Sequence, residues 1–255
     1  MGYRFIKVEA GPHRLDVTIS NPPVNILTGE VMKELIEALK GASGDKSCRA
    51  VVLKGEGKAW SAGADVGEHM PDKFEAMLDV FGELCELVRT HPIPTVAAVD
   101  GLCLGGGCEV AGLCDFVIAS ERAKFGQPEI KVGVLPPAAC AHFARKFGLG
   151  NALEIVLTGD VFDAETSRRM GLVTRVVPVD GFDAAVDEFV ARLTGNSGVV
   201  LRLTKRAALE GLELKSEDAA KRVDDIYRRE LMSTRDAVEG LKAFLDKRQA
   251  EWKDK

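Results

Sequence analysis

The sequence predicts an α/β fold followed by an all-helical region. Strand and helix patterns alternate through the first three quarters of the chain, and several strands are continuous apolar runs of the kind that parallel sheets bury on both faces. After residue 195 only helical patterns occur. With 255 residues the chain can bury one large core. We therefore expect a core, residues 1–195, that carries the functional site, and a helical region, residues 196–255.

The chain opens with two alternating segments, residues 4–9 and 14–20, joined by a turn composition. This pattern predicts a β-hairpin. Residues 21–25 contain two adjacent prolines and predict a rigid extended loop. Thr28 is then the predicted N-cap of a helix. That helix has apolar positions at helical spacing, which are Val31, Leu35, Ile36 and Leu39.

The next part predicts a buried strand at residues 50–53, a glycine-bearing loop at 57–65 and an amphipathic helix at 72–90. Later segments predict a strand at 116–119, a Gly/Pro loop at 124–130 and a last short strand at 173–177. Three helical patterns fill residues 197–250. The last of them begins at a cap formed by Ser233 or Thr234.

The chain is centred on residues 94–115, which contain an apolar β-branched strand at 95–99 and three consecutive glycines at 105–107. A helical stretch of small residues, 108–114, follows the glycines and carries one carboxylate, Glu109. Strand, glycine loop and helix start together direct unpaired backbone N–H groups at an anion. A glutamate in the first helical turn lies beside that anion. We interpret this segment as half of an active site.

Composition excludes several function classes. The net charge of −5 and a pI of about 5.5 predict neither a nucleic-acid partner nor a membrane partner. Residues 1–6 lack the apolar run of a signal peptide, so we expect a cytoplasmic protein. The six cysteines form no C-x-x-C pair, which argues against a metal site and favours thiols in the core. Motifs for dinucleotides or ATP do not occur in the sequence.

Three loops follow predicted strands and carry the candidate chemistry: Ala62 to Asp65, Gly105 to Glu109, and Gln127 to Glu129. In this order and spacing they resemble the enoyl-CoA hydratase/isomerase (crotonase) superfamily, and the resemblance covers nearly the whole chain. It implies a spiral of ββα units with a C-terminal helical trimerisation region. It also implies a homotrimer or a dimer of trimers that acts on acyl-CoA thioesters, with no cofactor beyond the coenzyme A of the substrate.

By this resemblance the backbone N–H groups of Ala64 and Gly106 form an oxyanion hole, and Glu109 and Glu129 are the catalytic pair. The implied reaction is syn addition of water across the α,β double bond of an enoyl-CoA. An enolate forms transiently and needs pre-aimed donors. We expect Glu109 to activate the water and Glu129 to exchange the Cα proton. The residues expected to contact the substrate are Ala62, Asp65, Gly105, Pro136 and His142.

One segment departs from the pattern of the hydratases of fatty-acid oxidation. Those enzymes carry a glycine-rich turn after the second glutamate, whereas residues 133–142 contain Pro136 and Pro137 and no glycine after Gly133. We therefore expect a stiffer, differently shaped loop. Together with the opening loop at 21–28, this segment resembles the branch that hydrates cyclic dienoyl-CoAs in anaerobic aromatic degradation.

Alternatives remain open from the sequence. Isomerases, thioester hydrolases, decarboxylases and C–C lyases of the same family use the same oxyanion hole. Ser61 lies near the expected site, but no histidine and acid are placed to activate it as in a serine hydrolase. Some relatives of the hydratases bind RNA without catalysis. The acidic charge and the intact glutamate pair weigh against that alternative.

Overall fold

The protein is described by a computed structural model over residues 2–255; Met1, part of the segment expected to lack a signal peptide, lies outside the described residues. The strands are β1 (Ile6–Gly11), β2 (Arg14–Ile19), β3 (Ala50–Gly55), β4 (Ala59–Ser61), β5 (Thr95–Val99), β6 (Leu102–Leu104), β7 (Phe116–Ser120), β8 (Lys124–Gly126), β9 (Val161–Asp163) and β10 (Arg175–Val177). The helices are α1 (Gly29–Gly44), α2 (Phe74–Thr90), α3 (Gly106–Leu113), α4 (Pro137–Phe147), α5 (Leu149–Thr158), α6 (Ala164–Met170), α7 (Phe182–Thr194), α8 (Gly198–Glu213), α9 (Ser216–Asp225) and α10 (Arg235–Leu245).

The strands form two sheets, and successive units of the chain contribute to both. The larger sheet has the order β1-β2-β3-β5-β7-β10, in which only the opening β1–β2 hairpin is antiparallel. The smaller sheet has the order β4-β6-β8-β9. In the three central units, β3–β4, β5–β6 and β7–β8, the first strand joins the larger sheet, the second strand joins the smaller one, and a helix follows. This spiral of ββα units confirms the predicted α/β fold.

The central strands are apolar because both faces of the larger sheet are covered. Every residue of β5 is buried, between β3 and β7. On β3, Val51 and Leu53 face the main core, while Ala50 and Val52 face a second core formed against α7. This alternation of sides is the two-residue period of a strand. A strand buried on both sides therefore appears in the sequence as an uninterrupted apolar run.

The predicted hairpin and helix caps are confirmed. Thr28 caps α1 by accepting a hydrogen bond from the N–H of Val31 at 3.3 Å, and the predicted apolar positions of this helix are buried. Of the two candidates for the last cap, the structure selects Thr234, whose Oγ1 accepts from the N–H of Ala237 at 3.1 Å. Capping of this kind stabilises a helix by about 1 kcal/mol.

Two features differ from the sequence-based expectation. The strands β4, β6, β8 and β9 were not predicted, because each is three residues long and too short to show a period. Helix α3 begins at Gly106, two residues before the predicted start at residue 108. The early start depends on close packing: a Cβ on Gly107 would lie 2.6 Å from the Cβ of Ser61. Glycine therefore allows the first turn of α3 to rest directly on β4.

The C-terminal helices attach to the core through polar groups. Helix α8 buries only Gly198. Its Arg202 donates to the backbone oxygen of Asp45 at 2.6 Å, and its Lys205 Nζ lies 2.6 Å from the Asp115 carboxylate. The apolar side of α10 is exposed, and its residues are Val238, Leu241, Phe244 and Leu245. The division of the chain at residue 195 stays a prediction.

The expectation that the cysteines are core thiols has a mixed outcome. Five of the six cysteines are buried free thiols, as expected, but Cys140 on α4 is exposed. Among residues 2–255, no helix is both long enough and apolar enough to cross a membrane.

Candidate active site

The three candidate loops leave the smaller sheet at one edge. Ala62 follows β4, Gly105 follows β6, and Gln127 follows β8. These three strands are parallel neighbours, so their carboxyl ends lie side by side. Loops at the carboxyl ends of parallel strands are a common place for ligand sites. The unpredicted short strands are therefore what brings the loops together.

The backbone amides of Ala64 and Gly106 are neighbours. A Cβ built on Gly106 would lie 3.3 Å from the nitrogen of Ala64, and a Cβ on Gly63 would lie 3.6 Å from the nitrogen of Gly106. Within residues 2–255, neither of these two N–H groups has a hydrogen-bond acceptor. Two adjacent unpaired donors are the arrangement that binds a developing oxyanion.

Glu109 is a buried carboxyl at the start of α3. It is 2% exposed, and its Oε1 accepts a hydrogen bond from the N–H of Ala139 at 2.8 Å. Burial raises the pKa of Glu109 to about 8, opposed by the N–H of Ala139 and reinforced by the nearby charge of Glu129. A carboxyl with a pKa near neutrality can both take up and release a proton at physiological pH.

Glu129 faces the same place from the next loop. A Cβ on Gly105, which has a φ of +53°, would lie 2.8 Å from Glu129 Oε1. With its amide nitrogen turned to the carboxyl group, the buried Gln127 donates to both Glu129 oxygens, at 3.1 and 3.0 Å. Burial raises the pKa of Glu129, while His69 acts in the opposite direction. Glycine at position 105 thus leaves room for the carboxyl group.

The other predicted contact residues have separate roles. Ala62 donates its N–H to Val24 O at 2.9 Å, which fixes the start of its loop. Asp65 caps the 3₁₀ helix Val66–His69 by accepting from the N–H of Gly67 at 2.6 Å. Asp65 therefore shapes its own loop.

The expectation for His142 is not supported, whereas Pro136 lies beside the site. Pro136 is buried and is the N-cap of α4, the helix that contacts Glu109. His142 is half-buried on the same helix, and burial lowers its pKa. Its charged neighbours are Arg89, Glu86, Arg145 and Glu213, so it is not brought together with the two glutamates.

Sequence reasoning missed three residues at the site. Gln127 was quoted only as part of a loop. His69, rather than His142, is the histidine whose charge reaches Glu129. Cys140 follows Ala139 and lies near both glutamates. Burial raises the pKa of its thiol, and the charges of the two glutamates raise this pKa further. The available signal was proximity in sequence: each of the three lies within four residues of a site residue or its loop.

The serine of the β4 end has a structural role. Ser61 is buried, and its Oγ accepts from the N–H of Gly63 at 3.1 Å. Among residues 2–255, no histidine or carboxylate contacts this hydroxyl group. Ser61 therefore lacks the base that a nucleophilic serine requires.

Comparison with known proteins agrees with this geometry. The family described as "Enoyl-CoA hydratase/isomerase" matches residues 15–255. A probable enoyl-CoA hydratase of Rhizobium meliloti (strain 1021) is 37% identical over 256 residues, 99% of each chain. The cyclohexa-1,5-dienecarbonyl-CoA hydratase of Thauera aromatica is 37% identical over 244 residues, 94% of this chain and 93% of that one.

Comparison of the fold with solved structures also finds similarity to an enoyl-CoA hydratase. The crystal structure of an enoyl-CoA hydratase from Bacillus anthracis matches with a TM-score of 0.94 and 30% sequence identity, covering 99% of this chain and 100% of that one. Sequence and structural similarity thus extend over the whole length, including the three loops at the edge of the smaller sheet. The chain belongs to the enoyl-CoA hydratase/isomerase (crotonase) family.

Proposed function

We propose that the protein hydrates an enoyl-CoA thioester. The observation that carries this proposal is the meeting of two unpaired amides, on Ala64 and Gly106, with two carboxyl groups of raised pKa, on Glu109 and Glu129. The amides supply donors for a thioester oxygen, and the carboxyls supply a proton acceptor and a proton donor. Hydration of an α,β-unsaturated thioester needs both functions.

The reaction follows from these positions. The thioester oxygen accepts hydrogen bonds from the N–H groups of Ala64 and Gly106, so the double bond becomes electron-poor at Cβ. Ionised Glu109 takes a proton from water while the water oxygen bonds to Cβ, and the electron pair moves to the thioester as an enolate. Protonated Glu129 then gives its proton to Cα. Because both carboxyl groups act from one side, hydroxyl and proton add to the same face.

For the acyl group, we propose a cyclic dienoyl-CoA from aromatic degradation. Support comes from the start of α4, where Pro136 is the N-cap and Pro137 the first helical residue. Neither has an N–H group, and the N–H of Ala139 is used by Glu109. This wall of the site is therefore stiff and offers few donors, which suits a rigid ring better than a mobile chain.

A substrate panel tests both levels of the proposal. Purified protein is incubated with crotonyl-CoA and with cyclohexa-1,5-dienecarbonyl-CoA, and the products are weighed by mass spectrometry. A mass gain of one water supports hydration, and at least a tenfold higher kcat/KM for the cyclic dienoyl-CoA supports the acyl assignment. An unchanged mass with a moved double bond would instead indicate an isomerase. Release of free coenzyme A would indicate a hydrolase.

The same proposal includes assembly and location. We infer a homotrimer or dimer of trimers, because Phe244 and Leu245 on α10 are 82% and 77% exposed. We also infer a location in the cytoplasm. Exposed apolar side chains at helical spacing favour burial against a further copy of the chain. Sedimentation at micromolar concentration should give a trimer or hexamer. A monomer under these conditions would contradict the assembly, and cell fractionation tests the location.

A further inference from the structure

Residues 24–27 run alongside the loop that carries the Ala64 amide. The N–H of Ala62 donates to Val24 O at 2.9 Å, and the N–H of Leu27 donates to Gly63 O at 2.9 Å. The N–H of Asp65 then donates to Leu27 O at 3.4 Å. These bonds use the carbonyl group of Gly63 and the N–H group of Asp65, on either side of Ala64, and leave the N–H group of Ala64 unpaired. The orientation of the Ala64 amide is therefore set by the position of residues 24–27.

That neighbouring segment is in turn held by one side chain. Asn25 is 1% exposed. Its Nδ2 donates to the backbone oxygens of Glu56 at 2.9 Å and Ala59 at 2.7 Å, which flank the β3–β4 turn. Its Oδ1 accepts from the N–H of Asn21 at 2.9 Å. The Asn25 side chain thus ties the extended loop to the turn before β4.

The chemistry of the position favours asparagine. Asn25 has a φ of +55°, a left-handed conformation that asparagine tolerates better than most residues. Aspartate would place a carboxylate against the backbone oxygens of Glu56 and Ala59. Glycine would keep the backbone conformation but lose all three side-chain bonds. Asparagine combines two donors, one acceptor and the required backbone conformation.

We propose that Asn25 is a positioning residue for the oxyanion hole: it fixes residues 24–27, and these aim the Ala64 amide at the thioester oxygen. This inference rests on the proposed acyl-CoA function. Asn25 itself touches no substrate. Its effect is expected in the transition state, where the oxyanion bonds are strongest, rather than in binding of the coenzyme A portion.

The test measures polarisation of a bound thioester. 4-(Dimethylamino)cinnamoyl-CoA absorbs at longer wavelength when its carbonyl oxygen receives strong hydrogen bonds. Wild-type protein should shift its absorption to the red on binding. Asn25→Gly should lose most of that shift and lower kcat about 30-fold or more, since loss of one oxyanion donor typically lowers the rate by ~10²–10³. KM should change much less.

A matched control separates positioning from stability. Asn151 on α5 also donates to two backbone oxygens, those of Phe147 at 3.1 Å and Met170 at 2.9 Å, but contacts neither loop of the oxyanion hole. Asn151→Ala should lower the melting temperature yet keep the red shift and a kcat within about threefold of wild type. Parallel losses of shift in both variants would overturn the inference.

A second variant keeps the test decisive if Asn25→Gly does not fold. The Asn21 side chain donates to Ile26 O at 2.8 Å and so holds the same segment from a half-buried position. Asn21→Ala should give a partial loss of the red shift. A full shift in every folded variant of Asn25 or Asn21 rejects the positioning role. Absence of a red shift in the wild type instead rejects the proposed oxyanion hole.

Discussion

The backbone N–H of Ala139 donates to Glu109 Oε1 across 2.8 Å, so the start of α4 meets a carboxyl group carried by the start of α3. A helix start favours the ionised carboxylate. Burial favours the neutral acid, and it prevails, since the pKa of Glu109 lies at about 8. The two opposing effects leave this group able to change protonation near neutral pH.

Glu109 should make stability fall as pH rises. The native protein retains this proton up to about pH 8, whereas an unfolded glutamate releases it near 4.5, so the native state binds more protons between these values. Glu109→Gln removes the effect. Relative to wild type, the variant should gain on the order of 3–5 kcal/mol of unfolding free energy between pH 4.5 and 8.5. Urea unfolding at both pH values measures this, and a pH-independent difference would contradict it.

Ionisation of Glu109 should also determine how the rate of hydration depends on pH. Because Glu109 must be ionised to accept a proton from water and Glu129 must hold the proton that it gives to Cα, kcat/KM for hydration should rise with pH as Glu109 ionises and fall again where Glu129 loses its proton. Stopped-flow or steady-state rates between pH 6 and 9 provide the profile. Glu109→Gln should lose about 10²–10⁴-fold in rate and show no such rise. A flat wild-type profile would remove Glu109 from the role of base.

Glu129 should control exchange of the Cα proton. With the acid replaced by an amide, Glu129→Gln should lower hydration by about 10²–10⁴-fold and slow deuterium incorporation at Cα of a saturated acyl-CoA. Exchange is followed by NMR in heavy water. Exposed Glu154, on the outer side of α5, offers a control, and Glu154→Gln should leave both rates unchanged. A folded Glu129→Gln protein with near-wild-type hydration would refute the assignment.

A methyl group at position 105 should displace the Glu129 carboxyl. Gly105→Ala puts a Cβ 2.8 Å from Glu129 Oε1 and strains a residue with a φ of +53°. Hydration should fall at least tenfold, and stability should fall by about 1 kcal/mol or more. By contrast, a Cβ on Gly82, inside α2, meets nothing within 4 Å. Gly82→Ala should stabilise the protein by about 0.5–1 kcal/mol and leave the rate unchanged.

His91 should make stability fall as pH is lowered, which is opposite in sign to the effect of Glu109 on stability. This ring is fully buried, its Nδ1 accepts from the N–H of Ile93 at 3.2 Å, and its Nε2 donates to Leu39 O at 3.0 Å. Burial lowers the pKa of His91 below its usual 6.5, so the unfolded state binds the proton first as pH falls. Stability should therefore fall from pH 7 to 5. In His91→Gln, thermal unfolding should show a smaller loss over this range; an equal loss would argue against His91.

The sequence was sufficient for the parts of the site that lie within single short segments. The glycines at 105–107, Glu109 and Glu129 each mark a loop after a strand, and the backbone geometry there agrees with the pattern. Side-chain direction farther along α4 was not predictable. Ala139 contacts Glu109 through its backbone N–H group at the start of α4. This contact does not determine the direction of the His142 side chain, three residues farther along the same helix.

Contacts between distant segments were also beyond the sequence. Asn25 and Ala59 are joined by a 2.7 Å hydrogen bond, yet 33 residues separate them and no pattern links them. The three-residue strands β4, β6 and β8 are specified by the sheet around them rather than by their own periodicity. Tertiary packing, rather than local sequence, determines where such short strands form.

Helix α8 contacts the core through charged side chains rather than through an apolar face. Arg202 donates to a backbone oxygen, and Lys205 pairs with a carboxylate. Such anchors tolerate little change in geometry, but they leave the outward face of the C-terminal helices free to vary. Substitutions on that outward face can therefore change the surface that the helices offer to other molecules while the contacts of Arg202 and Lys205 with the core stay the same.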